Sequence, residues 1–299
     1  MYRNAYLLLV LTTLFWGGNT IAGKLAVGHI SPMMLTGLRW VFAVGILLAI
    51  GHRQLRRDWP VVRANLPLMI ALGAVGFTFF NAAMYSGLLY TSAVNSSIEQ
   101  AGIPLVTMAA NFLLFRMKVS WAQIAGFLLT LVGIALTAAH GDLSRLAELD
   151  VNIGDFLTLL AVLIYGGYTV FLRYKPDIHW QSTMIVFAAS ALVASIPFML
   201  WESAAGRAIL PDTRGLAIGL YTVIFPSILA QIFYMRGVEL IGPNRASLFI
   251  NLIPVFGAVL SVVLLGEQVF AYHALAFSLV LAGIVLAEWG GRRMAAAGR

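Results

Sequence analysis

The chain has 299 residues, of which 61% are hydrophobic and only 10% charged, with a mean hydropathy of +0.90 and a formal charge of +7. A soluble domain carries about 25% charged residues, so this composition excludes a soluble fold. Cysteine is absent, which excludes disulfides and thiolate metal sites, and the basic residues lie singly or in short clusters between apolar runs, as membrane topology signals do.

The first apolar run follows Arg3 and has the start of a signal peptide. It continues through Gly23, however, and nine further runs follow, so it reads as an uncleaved first span. The predicted spans are 5–23, 32–51, 67–89, 93–115, 121–139, 153–172, 181–201, 215–235, 244–265 and 271–290. Each is about 20 residues long, enough to cross roughly 30 Å of hydrocarbon. They must be helical, because a lipid-facing backbone has to satisfy its own hydrogen bonds. No alternating pattern suggests a barrel. The long connections are 52–66, 140–152 and 202–214, too short for a soluble domain.

Placing the N-terminus inside puts fourteen Lys and Arg on inside segments, among them Arg53, Arg56, Arg57, Arg116, Lys118, Arg173 and Arg292. Only Lys24, Arg145, Arg207 and Arg214 fall outside, and Arg39 lies within span 2. This bias predicts two cytoplasmic termini. Sliding the sequence by 150 superposes its halves: over Ser97–Leu136 against Ser247–Leu286, eleven of forty positions are identical. At a shift of 149, Trp16-Gly17-Gly18-Asn19-Thr20 meets Tyr165-Gly166-Gly167-Tyr168-Thr169. Arg116 and Lys118 face Gly266 and Gln268, and the acidic stretch Asp142–Asp150 faces the basic tail. Five spans per half is an odd number, so the second half should be inverted. The expected fold is an all-α membrane protein of ten transmembrane helices in two inverted five-helix repeats, 1–150 and 151–299.

Intramembrane ionisable groups are functional suspects. Glu99, with Asn95, Ser96, Ser97 and Gln100, marks the most polar part of any span and suggests proton coupling, substrate contact or a structural bond. Arg39 suits a substrate carboxylate, or it snorkels outward or bonds backbone carbonyls. Asn81 and Gln231 are repeat-equivalent amides, and Asn251 shares a face with Ser247 and Pro254. Trp16, Phe80, Tyr85, Tyr165, Tyr168 and Tyr234 offer apolar walls. Pro104 and Pro254 are equivalent positions where helical hydrogen bonds are interrupted, and hence candidate hinges. Ala274, Ser278 and Ala282 form a small-residue stripe read as a close-packing face. Glu267 and Glu288 lie near span ends, where solvation or anchoring is expected.

These residues also carry a resemblance. Trp16-Gly17-x-Asn19, Pro32 with Arg39 and Ala43, Gly87 and Ser92 before Pro104, and Pro254, Leu265-Gly266-Glu267 and Gly283 resemble the drug/metabolite transporter superfamily, in its ten-helix branch of EamA-like metabolite exporters. The first half departs from the pattern at Arg116-Met117-Lys118, where an acidic residue is usual. The resemblance implies small-molecule transport by alternating access through a central cavity, which makes Asn19 a further lining candidate.

The expected protein is therefore a secondary exporter of neutral or zwitterionic metabolites, foremost large neutral or aromatic amino acids. It is not an enzyme: no catalytic pair or metal motif lies in the spans. Alternatives are a multidrug exporter of lipophilic cations and an intramembrane channel. Its partners are a small-molecule substrate and the bilayer of a bacterial inner membrane, with no nucleic acid, no cofactor and a monomeric or weakly dimeric state.

Overall fold

A computed structural model describes residues 4–116, 120–139, 141–142, 152–241 and 247–297. These residues form ten helical segments without a strand among them. The first two are α1 (Ala5–Ala26) and α2 (Pro32–Ala64). The third joins α3 (Leu66–Gly73) to α4 (Phe80–Gly87) through a π-helical turn, Ala74–Phe79. The fourth is broken into α5 (Ala93–Gln100) and α6 (Ile103–Phe115), and the fifth is α7 (Trp121–Ala138). The sixth and seventh are α8 (Ile153–Phe171) and α9 (Trp180–Ala204). The eighth joins α10 (Thr213–Thr222) to α11 (Ala230–Ile241) through a second π-helical turn, Val223–Leu229. The ninth opens with a 3-10 helix, Ser247–Leu252, and continues as α12 (Ile253–Leu265). The tenth is α13 (Ala271–Ala297).

Each predicted span therefore coincides with one helical segment. Seven segments are long and apolar enough to cross a membrane, and the apolar stretches of α7, α12 and α13 are shorter. Their outer faces are apolar, as lipid contact requires: Phe42 and Ile46 on α2, Leu128 and Val132 on α7, and Val285 on α13 are exposed.

Side-chain caps set several starts. Ser92 Oγ accepts from Asn95 N at 3.0 Å, and Ser120 and Gln123 form a reciprocal capping box. Pro32 opens α2, where a missing N–H costs nothing. The predicted end of span 2 at residue 51 marks the end of apolar sequence, not of the helix. α2 runs on because Asp58 accepts from Gln54 Nε2 one turn back (3.1 Å) and from the Ser182 hydroxyl of α9 (2.6 Å).

Two packed regions flank the centre. Trp40 of α2 stacks on Phe77 at 4.9 Å, and Phe77 meets Phe187 of α9 edge-on at 5.7 Å. Elsewhere α7 and α13 approach closely: a Cβ at Gly126 would meet the backbone of Gly283 and Ala287, and one at Gly133 that of Ala276. This corrects the small-residue stripe expected on α13. Ala274, Ser278 and Ala282 are exposed, and the packing face runs through Ala276, Val280 and Gly283.

Irregularities recur at the 150-residue offset. The π turns Ala74–Phe79 and Val223–Leu229 occupy equivalent places. The caps after α6 and α12, Arg116 (φ 52°) and Gly266 (φ 67°), are both left-handed. Pro104 and Pro254 each sit in the first turn of a helix that follows a break, α6 and α12. Met117, Lys118 and most of the stretch Asp142–Asp150, including Arg145, lie outside the described residues.

Candidate functional site: a cavity built around Arg39

The two π turns bracket the centre of the molecule. A π turn widens the helix and shifts its carbonyls out of register, so nearby polar side chains take up the freed groups. In the first half, Asn81 Nδ2 donates to Phe77 O at 2.6 Å. In the second, Pro226 has no N–H to give, and Ser227 Oγ donates to Thr222 O at 2.6 Å. The remaining oxygen of each side chain points at the same guanidinium. Arg39 Nη1 donates to Asn81 Oδ1 at 2.8 Å, and Arg39 Nε to Ser227 Oγ at 2.5 Å. Nη1 also reaches Asn19 Oδ1 (3.2 Å) and the Tyr85 hydroxyl (2.9 Å), and that hydroxyl donates to Asn19 Oδ1 at 2.8 Å.

Arg39 is 6% exposed, and every partner it has among the described residues is neutral. Its Nη2 makes no hydrogen bond to any described residue. A fixed positive charge thus sits in the middle of the bundle, positioned by four side chains from three different segments.

Above it opens a cavity of about 250 Å³. Arg39, Asn19, Asn81 and Ser227 form its polar floor. One wall is aromatic: Phe80 and Tyr165 rings lie 4.8 Å apart, and Tyr165 and Tyr168 5.2 Å. The facing wall carries Trp16 and Tyr234, 5.5 Å apart, with Trp16 Nε1 donating to Pro226 O at 3.1 Å. Gln231 lies on this wall with no hydrogen bond to a described residue, so its amide is open to a ligand. Gln100 lines the cavity but is tethered to Thr20 Oγ1 (3.2 Å) and Ser96 O (3.1 Å). No acidic side chain is among the described lining residues.

The structure brings nine of the expected cavity residues to this wall: Trp16, Asn19, Phe80, Asn81, Gln100, Tyr165, Tyr168, Gln231 and Tyr234. Tyr85 sits behind the wall, holding Arg39 and Asn19. Ser97 and Glu99 lie off the cavity: Ser97 packs where a Cβ on Gly257 would fall, and Glu99 turns toward Asp155 of α8. The side chains of Ser247 and Asn251, and those of Pro104 and Pro254, lie outside the described residues. In the sequence Ser227 shares a helical face with Gln231 and Tyr234, and its place directly after Pro226 in a span is the further signal.

The cavity is closed at one end. A Cβ at Gly17 would meet Gly257 N and Phe256 Cβ at 2.9 Å, and one at Gly18 would meet the Tyr221 hydroxyl. At the surface of that end, Ser31 N donates to Ile209 O at 3.1 Å, and His29 Nδ1 lies 2.7 Å from Asp212 Oδ2. Asp212 is held below the usual carboxylate range first by the Gly215 N–H, then by His29. At the other end the lining includes Thr169, which is exposed, and Leu172, next to the basic Arg173.

The sequence profile of the EamA-like transporter family matches residues 3–139 and again residues 152–289. The chain belongs to this family. It is a multi-pass membrane transporter and not an enzyme. The chain is 25% identical to the uncharacterized transporter YyaM of Bacillus subtilis, over 96% of this chain and 94% of that one. It is 23% identical to a probable amino-acid metabolite efflux pump of Salmonella typhimurium, over 98% and 97%. It is 27% identical to the uncharacterized inner membrane transporter YedA of Escherichia coli K12, over 93% and 88%. A crystal structure 20% identical in sequence superposes with a TM-score of 0.65 over 97% of this chain and 98% of the other, which shows the shared fold.

Proposed function

We propose that this transporter is a secondary exporter of small carboxylate-bearing metabolites, with large neutral and aromatic amino acids foremost, working by alternating access between two inverted five-helix repeats. One observation carries the reading: Arg39 places an uncompensated positive charge on the floor of an aromatic cavity. Burying a charge costs several kcal/mol unless a partner offsets it. A substrate carboxylate bonded to the free Nη2 is that partner, and charge-assisted bonds are the strong ones. The aromatic walls take an apolar side chain, and the Gln231 amide meets a polar end.

Cavity size supports a small metabolite. About 250 Å³ falls below the ~300–1,000 Å³ of drug-sized pockets. The positive floor and the absence of acids among the described lining residues count against lipophilic cations. The twofold match of the family profile, the paired π turns and the paired left-handed caps support the repeat. With both termini cytoplasmic, as the Lys and Arg distribution favours, the closed end is outside and the cavity opens inward.

A second reading has its own support. An ammonium group finds no acid among the described lining residues, so an apolar carboxylic acid without an amine suits the cavity as well as a zwitterion. Counterflow of labelled phenylalanine in proteoliposomes tests both. Phenylalanine and phenylpyruvate are expected to compete, and phenethylamine not to. Competition by the amine alone, or by a sugar phosphate in place of the acids, overturns the proposal. Stronger competition by the keto acid than by the amino acid favours the second reading.

A further inference from the structure

α2 is 33 residues long, about 50 Å at 1.5 Å per residue, against roughly 30 Å of hydrocarbon. Its apolar run stops at Ile50, and the stretch from Gly51 to Ala64 continues past the hydrocarbon. Two faces run the length of this helix. The inward face carries Leu47, Gly51, Leu55, Asp58 and Val62, and it packs on α9 and the aromatic core. A Cβ at Gly51 would meet the side chains of Ile185 and Gln181, and Gln181 Nε2 donates to Ile50 O at 3.1 Å.

The outward face starts with Phe42 and Ile46, which are 41% and 40% exposed and turned to lipid. At the same three- and four-residue spacing it continues as Arg53, Arg56, Arg57 and Arg63, all exposed. The helix has one acid, Asp58, and that acid is on the other side. It accepts from Gln54 Nε2 at 3.1 Å and from the Ser182 hydroxyl of α9 at 2.6 Å. None of the four arginines has a hydrogen bond or an ion pair with a described residue. Trp59, 47% exposed, lies beside Arg56 at the edge of the stripe, and tryptophan favours the headgroup level.

A topology signal needs a sign and a side of the membrane, but no particular face of a helix. Here the charges are gathered on the one face that meets lipid higher up, and the helix's acid is withheld from it. We infer that Arg53, Arg56 and Arg57 form a binding site for the phosphate of an anionic phospholipid whose acyl chains lie along Phe42 and Ile46. All three fall within about 10 Å of the end of the apolar run, where headgroups begin. The guanidinium fork matches phosphate oxygens two at a time. Arg63, farther out on the same stripe, adds to the attraction of the anionic surface. The site is separate from the central cavity and does not depend on what the cavity carries.

Native mass spectrometry tests it on the purified full-length protein, delipidated in neutral detergent and offered equal amounts of phosphatidylglycerol and phosphatidylcholine. The wild type is expected to retain phosphatidylglycerol in preference. Arg53→Gln, Arg56→Gln and Arg57→Gln should each lower that preference by about fivefold, the worth of one arginine near an anionic surface. The triple variant should retain the two lipids equally. Arg207→Gln, exposed in the connection after α9, should keep the wild-type ratio. A wild type without the preference overturns the inference whether or not the variants fold. So does an unchanged ratio in the triple variant, or an equal loss in Arg207→Gln. Displacement of the lipid by an equal concentration of inorganic phosphate overturns it too, since the site would then bind a free anion.

Discussion

The two π turns solve one problem with different chemistry. Each releases a mid-span carbonyl, and each is followed by a polar side chain that captures it. The first half uses an amide, Asn81, one turn after Phe77. The second uses a hydroxyl, Ser227, directly after a proline. Both then present an oxygen to Arg39, Asn81 to Nη1 and Ser227 to Nε. The equivalent amide of the second half, Gln231, is left unbonded on the cavity wall. One pair of irregular turns thus yields a rigid floor and an adaptable wall. A duplicated sequence need not duplicate its roles: the backbone defect is repeated, and the side chains that exploit it are divided between holding the charge and meeting the ligand.

The comparison is broken most severely at Arg39, where the halves meet. Arg39→Met is expected to weaken binding of a carboxylate substrate by about 10- to 100-fold, since a hydrogen bond to a charged group is worth about 1.5–3 kcal/mol and 1.4 kcal/mol is tenfold. Arg39→Lys restores the charge but not the fork that reaches Ser227 and Asn81 together, so recovery is partial. Isothermal calorimetry on the detergent-solubilised protein measures both. Next comes Ser227→Ala, which removes the hydroxyl bond to the Thr222 carbonyl and leaves Arg39 Nε without its partner. It should lower thermal stability by about 1–3 kcal/mol, seen as a drop in melting temperature, with substrate affinity reduced as the guanidinium loosens.

Gln231→Ala sharpens the contrast, because Gln231 has no bond to lose. Its melting temperature should match the wild type while affinity falls by about fivefold, the worth of roughly one hydrogen bond. Asn81→Ala, at the equivalent place, should lower both. The smallest effect is expected where the π-bearing segments begin. α3 has no side-chain cap, and α10 has Asp212. Asp212 sits below the usual carboxylate range, so the stability it lends is complete above that range and is lost as pH falls through its own lower value. Melting curves taken down the acid range should show a small step in the wild type that Asp212→Asn lacks.

The ten segments were legible because bilayer thickness fixes span length and lipid forbids an unpaired backbone. The ends of α2 and α13 were not, because polar residues stop the hydropathy signal without stopping a helix. The aromatic walls and the amides Asn19, Asn81 and Gln231 could be picked out as polar or bulky residues within spans. For Arg39 the sequence leaves a substrate contact and a structural role both open, since its place one and a half turns from the span end says nothing of which face it takes. Only the convergence of Asn19, Asn81, Tyr85 and Ser227, drawn from distant stretches of sequence, turns it inward. Glu99 illustrates the reverse error of inference from polarity: a carboxyl group deep in a span need not face the substrate. The rotation of α5 aims it at α8, and that rotation is set by packing of Ser97 against Gly257 on the far side.

The left-handed caps after α6 and α12 hold a different kind of record. Gly266 adopts its positive φ freely, whereas Arg116 carries a Cβ into a region that costs an L-residue roughly 1–2 kcal/mol. Folding alone would favour glycine at both. On the orientation proposed above, the two caps lie on opposite sides of the membrane, and the strained one is cytoplasmic. A basic residue there speaks to the insertion machinery rather than to the finished fold. On that orientation the cap of α6 is a place where biogenesis and equilibrium stability ask for different amino acids, and Arg116 is one of the many basic residues that together bias the chain's entry into the bilayer.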